Sequence, residues 1–381
     1  MRVVVIGAGP GGLTLANGLR RVGIDVVVYE RDGEQGRPQG VSLHVDDRGW
    51  TALRACLPPA QAAMAAATAG GPRLRTLSVD ERDGGLVIVG AEPLSDAGPV
   101  RPGRQVHRPL LRAVLLAGLE GAVRFGSAFT GYEVGADGTV LARFADGSTD
   151  TGDVLVGADG IGSAVRRELL PDARVIDSGR RMVMGATPLR AVADTGLPEL
   201  IDHNATAVRA GDTFVALGVL RFGEPPSAAR DRWLPGLRSA AVDAAEDYVM
   251  WALPVTREQL GPAGSPEAAW SRARVLVAAQ HPALRTVVDE AWPDVTVPLR
   301  IGVLPAVPPW RPGPVTVIGD AVHLAPGFGG NLAMRDAHRL RDALIRAARG
   351  EQDLTTAIGA YEDTMRRESF PAVPRTAERS A

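Results

Sequence analysis

Not one of the 381 residues is lysine, so all 42 basic positions are arginine. Every mechanism that needs a lysine, Schiff bases and Walker-type phosphate binding among them, is excluded. Cysteine is almost as scarce. Cys56 stands alone, which rules out an internal disulfide, a Cys-x-x-Cys redox pair and a multi-cysteine metal site, and it reads as a small buried apolar residue. Charge of either sign is not in excess: the formal net charge is −2, so nothing points to nucleic acid or an anionic membrane. No stretch approaches the roughly eighteen uninterrupted apolar residues of a membrane span. The apolar run at the N-terminus is broken by glycines and lacks a small-residue cleavage pattern, so a cytoplasmic location is expected. Neither His-Glu-x-x-His nor Gly-x-Ser-x-Gly occurs, leaving zinc or serine hydrolysis without support.

What is present is glycine in a particular place. Val3-Val4-Val5-Ile6 is a buried-strand run, and Gly7-Ala8-Gly9-Pro10-Gly11-Gly12 follows at once. That is G-x-G-x-x-G: the first glycine makes the tight turn, the second lets a pyrophosphate approach the backbone, and the third lets helix and strand pack closely. Leu13 to Arg20 reads as a helix whose N-terminal amides face phosphates, and Asp25 to Tyr29 as a second strand ending at Glu30. An acid there accepts hydrogen bonds from the ribose of an adenosine. The motif alone is weak; strand, turn, helix, strand and acid in order make an adenine dinucleotide site, without deciding between FAD and a nicotinamide.

The rest of the chain supplies an α/β framework. Arg31 to Gly49 is a polar loop carrying Arg37, which leads to a strand-like Val41 to Val45 with His44 in it. Trp50 to Ala69 is helical in pattern and interrupted at Pro58-Pro59. Leu74 to Val79 and Gly84 to Val89 read as a hairpin. Gln105-Val106-His107-Arg108-Pro109-Leu110-Leu111 is expected to open a helix running to about Leu119. Between about 175 and 297 the period is that of strands, which describes an antiparallel sheet layered on the nucleotide domain.

Two further segments are informative. Asp153 to Arg166 is a buried strand running through Gly157-Ala158-Asp159-Gly160 into a helix. Val315 to Ala337 is a strand ending in Gly319-Asp320, then a glycine-rich loop through Pro326, Gly329, Gly330 and Asn331, then a helix to about Ala348. An acid at a strand's C-terminal end beside a helix N-terminus favours polar ligand atoms.

Together the three segments resemble the FAD-dependent aromatic hydroxylases, the single-component flavoprotein monooxygenases of the para-hydroxybenzoate hydroxylase fold. Polyketide-tailoring and tetracycline-inactivating enzymes belong to the same group. The resemblance implies a Rossmann-like FAD-binding domain in residues 1–72, 104–174 and 298–350, an antiparallel β-sheet substrate domain in 73–103 and 175–297, and a C-terminal helix and tail in 351–381. It assigns the ADP half of FAD to Gly7, Gly9, Gly12 and Glu30, with Arg31 beside them. It brings Arg37 and Arg108 toward the flavin, Asp159 and Gly160 to FAD and the nicotinamide pyrophosphate, Asp320 to the ribityl chain, and Pro326, Gly329, Gly330 and Asn331 to the isoalloxazine. His44 and Pro326 are the candidates for residues beside the chemistry. The sequence departs from the family pattern after Pro326, where the glycine loop is a few residues short before Asn331.

The resemblance further implies an oxidoreductase that takes NADPH or NADH and O2 and hydroxylates or epoxidises an aromatic or polyketide-like small molecule through a flavin C4a-hydroperoxide, as in secondary metabolism and antibiotic biosynthesis. A monomer or weak homodimer with no metal is expected. Met184, Phe214, Leu217 and Trp251 are the expected pocket residues, although core packing explains each of them as well. A halogenase is disfavoured because its essential lysine is missing. The rival readings are an FAD-binding cyclase or substrate-binding protein in which the cofactor is partly structural, and a dehydrogenase of saturated rings or isoprenoids on the same fold.

Overall fold

Arg2–Ile6 (β1) is buried along almost its whole length, as a strand in the middle of a parallel sheet must be, because both faces are covered. A computed structural model describes residues 1–37, 39–98, 100–210, 213–324 and 329–370. After β1 come Pro10–Arg20 (α1), Asp25–Tyr29 (β2), Ser42–Asp46 (β3), Asp47–Cys56 (α2) and Pro59–Ala67 (α3). The Pro58-Pro59 break thus separates two helices, with Pro59 at a helix start where its missing N–H costs nothing. Pro72–Arg73 (β4), Arg75–Arg82 (β5) and Gly85–Pro93 (β6) follow; the β5–β6 hairpin turns through Asp83 and Gly84, both at positive φ.

Next are Gly103–His107 (β7), Arg108–Leu116 (α4), Val123–Arg124 (β8), Phe129–Val134 (β9), Val140–Phe144 (β10), Thr149–Gly152 (β11), Val154–Gly157 (β12) and Ala164–Leu169 (α5). The helix expected from Gln105 therefore starts three residues later, at Arg108 with Pro109 in its first turn. Gln105 and His107 belong instead to a strand. Their alternation with buried Val106 suits a sheet with unlike faces.

The second half holds Ile176–Pro188 (β13), Asn204–Ala210 (β14), Thr213–Leu220 (β15), Tyr248–Thr256 (β16), Val297–Val303 (β17) and Val315–Val317 (β18). Helices Pro266–Val277 and Pro282–Asp289 precede β17, and helices Gly329–Ala348 and Leu354–Ser369 follow β18.

Four sheets result. The nucleotide sheet is parallel, in the order β18-β12-β1-β2-β8, which puts the turns after β1, β12 and β18 side by side at one end. A seven-stranded sheet runs β17-β13-β16-β15-β14-β5-β6, antiparallel except for the parallel β14–β5 pair. A small sheet β3-β7-β4 packs Val45 and Val106 into the core of the parallel sheet and adjoins the seven-stranded sheet near Tyr248, and β11-β10-β9 is the fourth. One core gathers the nucleotide sheet and the helices Pro10–Arg20 and Gly329–Ala348; a second gathers one face of the seven-stranded sheet and helices Pro266–Val277 and Pro282–Asp289. Among the described residues, no helix is long and apolar enough to cross a membrane.

Candidate active site

Three glycines of the first turn differ in what they permit. Gly7 has φ 110°, and a Cβ there would lie 2.4 Å from the Ala158 carbonyl oxygen. A Cβ at Gly12 would lie 2.1 Å from the Gly7 carbonyl oxygen. Both are therefore required by packing. Around Gly9 nothing lies within 4 Å of a Cβ position, so this glycine leaves bare backbone facing open space at the start of α1. That helix has no side-chain cap and no acid in its first turn, so its N-terminal amides remain available to an anion. Glu30 braces the turn: its carboxylate accepts from the amides of Ala8 at 2.8 Å and Asp32 at 2.9 Å.

The β12 turn adds Asp159. Its Oδ2 accepts from the amides of Ala164 at 2.7 Å and Val165 at 3.3 Å, capping α5. Its Oδ1 is buried and has no partner among the described residues. Gly160, at φ 71°, has open space where a Cβ would stand. Arg166 donates to the carbonyls of Ala321 at 2.8 Å and Ile161 at 2.9 Å, and so ties the second turn to the third.

In the third turn, burial raises the pKa of Asp320, while His323 and Arg108 oppose that shift and Asp336 adds to it. Burial lowers the pKa of Arg108, with Asp320 opposing, and its guanidinium donates to the Gln39 carbonyl at 2.7 Å and to the Gln39 side chain at 2.5 Å. These two residues are close enough to feel each other's charge. A Cβ at Gly329 would lie 2.5 Å from Asp320 Oδ1, so glycine there keeps the carboxylate clear. Arg31 and Arg37 are exposed and pair with Asp32 at 4.0 and 3.4 Å. Pro326 and its neighbours 325–328 lie outside the described residues.

Asn331 is turned inward. Its Nδ2 donates to the His44 carbonyl at 2.8 Å and its Oδ1 accepts from the Asp46 amide at 3.0 Å, so its side chain clamps β3 to helix Gly329–Ala348. A Cβ at Gly330 would meet the Leu43 side chain at 3.0 Å. His44 shares an Nε2 hydrogen bond of 2.9 Å with the Arg101 carbonyl, and burial lowers its pKa.

The expected pocket residues divide by strand parity. In the registers of β13, β16 and β15, Met184 lies opposite Ala252, Ala252 opposite Ala216, and Leu217 opposite Trp251, which lies opposite Gly185. Trp251 and Leu217 are buried in the helix-covered core, where the indole fills the space above Gly185. This corrects the expectation for both: they face away from the nucleotide domain because adjacent residues on a strand point to opposite sides. Met184 and Phe214 share the other face with Ala186, Met250, Ala252, Ala216 and Gly218. That face looks toward β3-β7-β4. Met184 Sδ lies 3.2 Å from a Cβ position on Gly40, the Tyr248 hydroxyl donates to the Val41 carbonyl at 3.1 Å, and the His107 and Tyr248 rings are 5.6 Å apart.

The FAD binding domain family matches residues 1–47 and 299–370. An FAD-dependent urate hydroxylase of Klebsiella pneumoniae is 30% identical over 383 residues, spanning 95% of this chain and 85% of that protein. The chain belongs to the FAD-dependent monooxygenases. The crystal structure of Klebsiella pneumoniae HpxO complexed with FAD and uric acid is 25% identical, with a TM-score of 0.73 over 98% of this chain and 86% of that one. A dual O-methyltransferase/FAD-dependent monooxygenase of Phaeosphaeria nodorum is 28% identical over 98% of this chain but only 45% of its own length. The chain spans about half the length of that relative and of two Cercospora proteins bearing the same description.

The residues present fit the cofactor of this family. Gly9 and Gly160 leave room, the start of α1 offers uncapped amides, and Asp159 holds out a buried oxygen with nothing on it. Among the described residues, no group of three His, Cys, Asp or Glu is placed to hold a metal.

Sequence reasoning missed a second set of polar residues. His323 Nε2 meets Asp336 Oδ2 at 2.6 Å with both side chains buried, and the same oxygen accepts from the Gly319 amide at 3.1 Å, fixing the Gly-Asp turn. Arg73, Gln105, His107 and Tyr248 lie together between the sheets. The alternation of Ser42, His44 and Asp46 with Leu43 and Val45 is the signal that could have exposed this polar face, once β7 was read as a strand.

Proposed function

We propose that this FAD-dependent monooxygenase uses NAD(P)H and O2 to hydroxylate or epoxidise an aromatic or polyketide-like small molecule. The observation that carries the reading is the juxtaposition of an open glycine-lined dinucleotide cradle with two facing sheets, one polar and one built from methionine, alanine and glycine. The urate hydroxylase and the uric acid complex named above support an aromatic substrate. A tailoring role in secondary metabolism is part of the same proposal.

FAD, when bound, supplies reduction by the nicotinamide and the activation of oxygen. The chain has to hold, orient and exclude water. Gly7, Gly9 and Gly12 with the amides of α1 receive the pyrophosphate, Glu30 the adenosine ribose, and Asp159 and Asp320 hydroxyl donors nearer the flavin, with Arg108 placed to balance Asp320. Met184, Phe214 and Met250 present apolar surface to the substrate, while Ala216 and Ala252 leave it space. His107, lowered to about 4 by burial, and His44, lowered for the same reason, are neutral at physiological pH and carry no charge into the cleft.

The test is turnover under 18O2 with NADPH or NADH and a panel of phenols, purines and polycyclic polyketides. One labelled oxygen atom in the product supports oxygen transfer; a product formed without label assigns the protein to cyclisation or dehydrogenation.

A further inference from the structure

The small sheet between the two domains has unlike faces. Leu43, Val45 and Val106 point into or against the nucleotide core, while Ser42, His44, Asp46, Gln105, His107 and Arg73 share the opposite face. A buried strand face made of polar residues is costly unless every group is paired. Most of these are. Asp46 binds Arg48, His44 the Arg101 carbonyl, and His107 the Tyr248 hydroxyl at 3.4 Å.

Two are not. Arg73 is only 5% exposed, and among the described residues it has no carboxylate partner. Among the described residues its side chain makes one hydrogen bond, a long one of 3.4 Å to the Val219 carbonyl, which leaves most of its donors unused there. Gln105 is 1% exposed; among the described residues neither its Nε2 nor its Oε1 makes a full hydrogen bond, and its amide has only the Tyr248 hydroxyl close by. Burial lowers the Arg73 pKa to about 10, so it stays protonated at neutral pH. Its guanidinium reaches across to the substrate sheet, where a Cβ at Gly218 would lie 2.1 Å from one of its nitrogens. Glycine at 218 is thus what admits the charge to the cleft.

We infer that Arg73 and Gln105 form a specificity subsite that receives an anionic oxygen of the substrate, a carboxylate or an ionised phenol. A planar guanidinium presents paired donors to such an oxygen, and the Gln105 amide adds a further donor or an acceptor. An uncompensated buried guanidinium is expensive in the free protein, so a ligand that neutralises it gains over a neutral isostere. The inference rests on the reading of the cleft as the substrate site, but not on turnover.

The test titrates the FAD-loaded protein with 2-naphthoate, 2-naphthol and 2-naphthamide, followed by calorimetry and by the change in flavin absorbance. The wild type is expected to prefer an ionised ligand over the amide by roughly tenfold or more. A preference for naphthoate assigns a carboxylate; a preference for naphthol that grows with pH assigns a phenolate. Arg73→Gln is expected to erase the preference while keeping its FAD and its affinity for the amide. Equal binding or no binding of all three by the wild type, or a preference that survives in Arg73→Gln, overturns the inference. Should that variant fail to fold, Gln105→Leu serves in its place and is expected to weaken the favoured anion by about threefold; an unchanged affinity counts against the subsite. Because the readout is binding, a protein that discriminates charge yet transfers no oxygen refutes the function and leaves the subsite standing.

Discussion

Asn331 and His44 lie 287 positions apart and are joined by one hydrogen bond, from Asn331 Nδ2 to the His44 carbonyl at 2.8 Å. With the Asp46 amide bound to Oδ1 of the same side chain, the start of the long helix is tied to the strand that carries the polar face of the cleft. The helix that begins at Gly329 therefore starts from a fixed point.

Asn331→Ala leaves the Asp46 amide and the His44 carbonyl without this partner, at a cost of roughly 2–4 kcal/mol. Urea unfolding is expected to show a lowered midpoint, and flavin retention is expected to fall with it. A midpoint within error of the wild type would show that β3 is held by other means.

Gly9→Ala and Gly12→Ala separate binding from folding. A methyl at Gly9 meets no protein atom within 4 Å, whereas one at Gly12 would lie 2.1 Å from the Gly7 carbonyl oxygen. The apo form of Gly9→Ala is expected to unfold within about 1 kcal/mol of the wild type while binding FAD much more weakly. Gly12→Ala is expected to destabilise the apo form itself. Equal FAD affinity in Gly9→Ala would remove the phosphate from this turn.

Asp159→Ala and Asp320→Ala each remove a carboxylate assigned to the cofactor. Loss of one charge-assisted hydrogen bond weakens FAD by about tenfold to a hundredfold. Fluorescence titration of apoprotein with FAD measures it. Unchanged affinity in Asp320→Ala would overturn the placement of the ribityl chain.

Trp251→Ala empties the space above Gly185 in the helix-covered core and is expected to cost about 3–5 kcal/mol. The affinity of cleft ligands is expected to stay as in the wild type, provided the variant remains folded at the assay temperature. Selective loss of ligand binding would return Trp251 to the pocket.

Glu362 gives the stability a pH dependence. It is fully buried, accepts from Thr316 Oγ1 at 2.8 Å, and burial raises its pKa to about 7. The folded chain then holds a proton that the unfolded chain releases in the ordinary glutamate range, so this group's contribution falls as pH rises through that window toward 7, by about 3 kcal/mol in all. Glu362→Gln is expected to flatten this part of the stability profile and to raise the melting temperature at pH 8. An unchanged profile would place the titration elsewhere.

The cofactor end of the molecule was legible because its chemistry is local. Gly7 to Gly12, Asp159-Gly160 and Gly319-Asp320 each sit on one strand-to-turn unit, and the parallel sheet brings the three turns together. The cleft was less legible because it depends on pairing across the chain. Along β15 and β16 both faces are largely buried, so hydrophobicity alone does not tell Met250 from Trp251, and only the register with β13 assigns the sides. Arg73 follows two glycines and a proline in a two-residue strand, where nothing one-dimensional marks it. Gln105 was hidden by reading Gln105 to His107 into the helix that follows, where they belong to the strand Gly103–His107.

Oxygen transfer through a reduced flavin is tested by mixing the FAD-loaded protein anaerobically with NADPH or NADH, with and without a cleft ligand, and following the flavin's visible absorbance before and after oxygen is admitted. One of the nucleotides is expected to bleach the flavin, faster with ligand bound, and oxygen is expected to restore the colour. A flavin that stays oxidised with both nucleotides across the ligand panel would contradict such transfer.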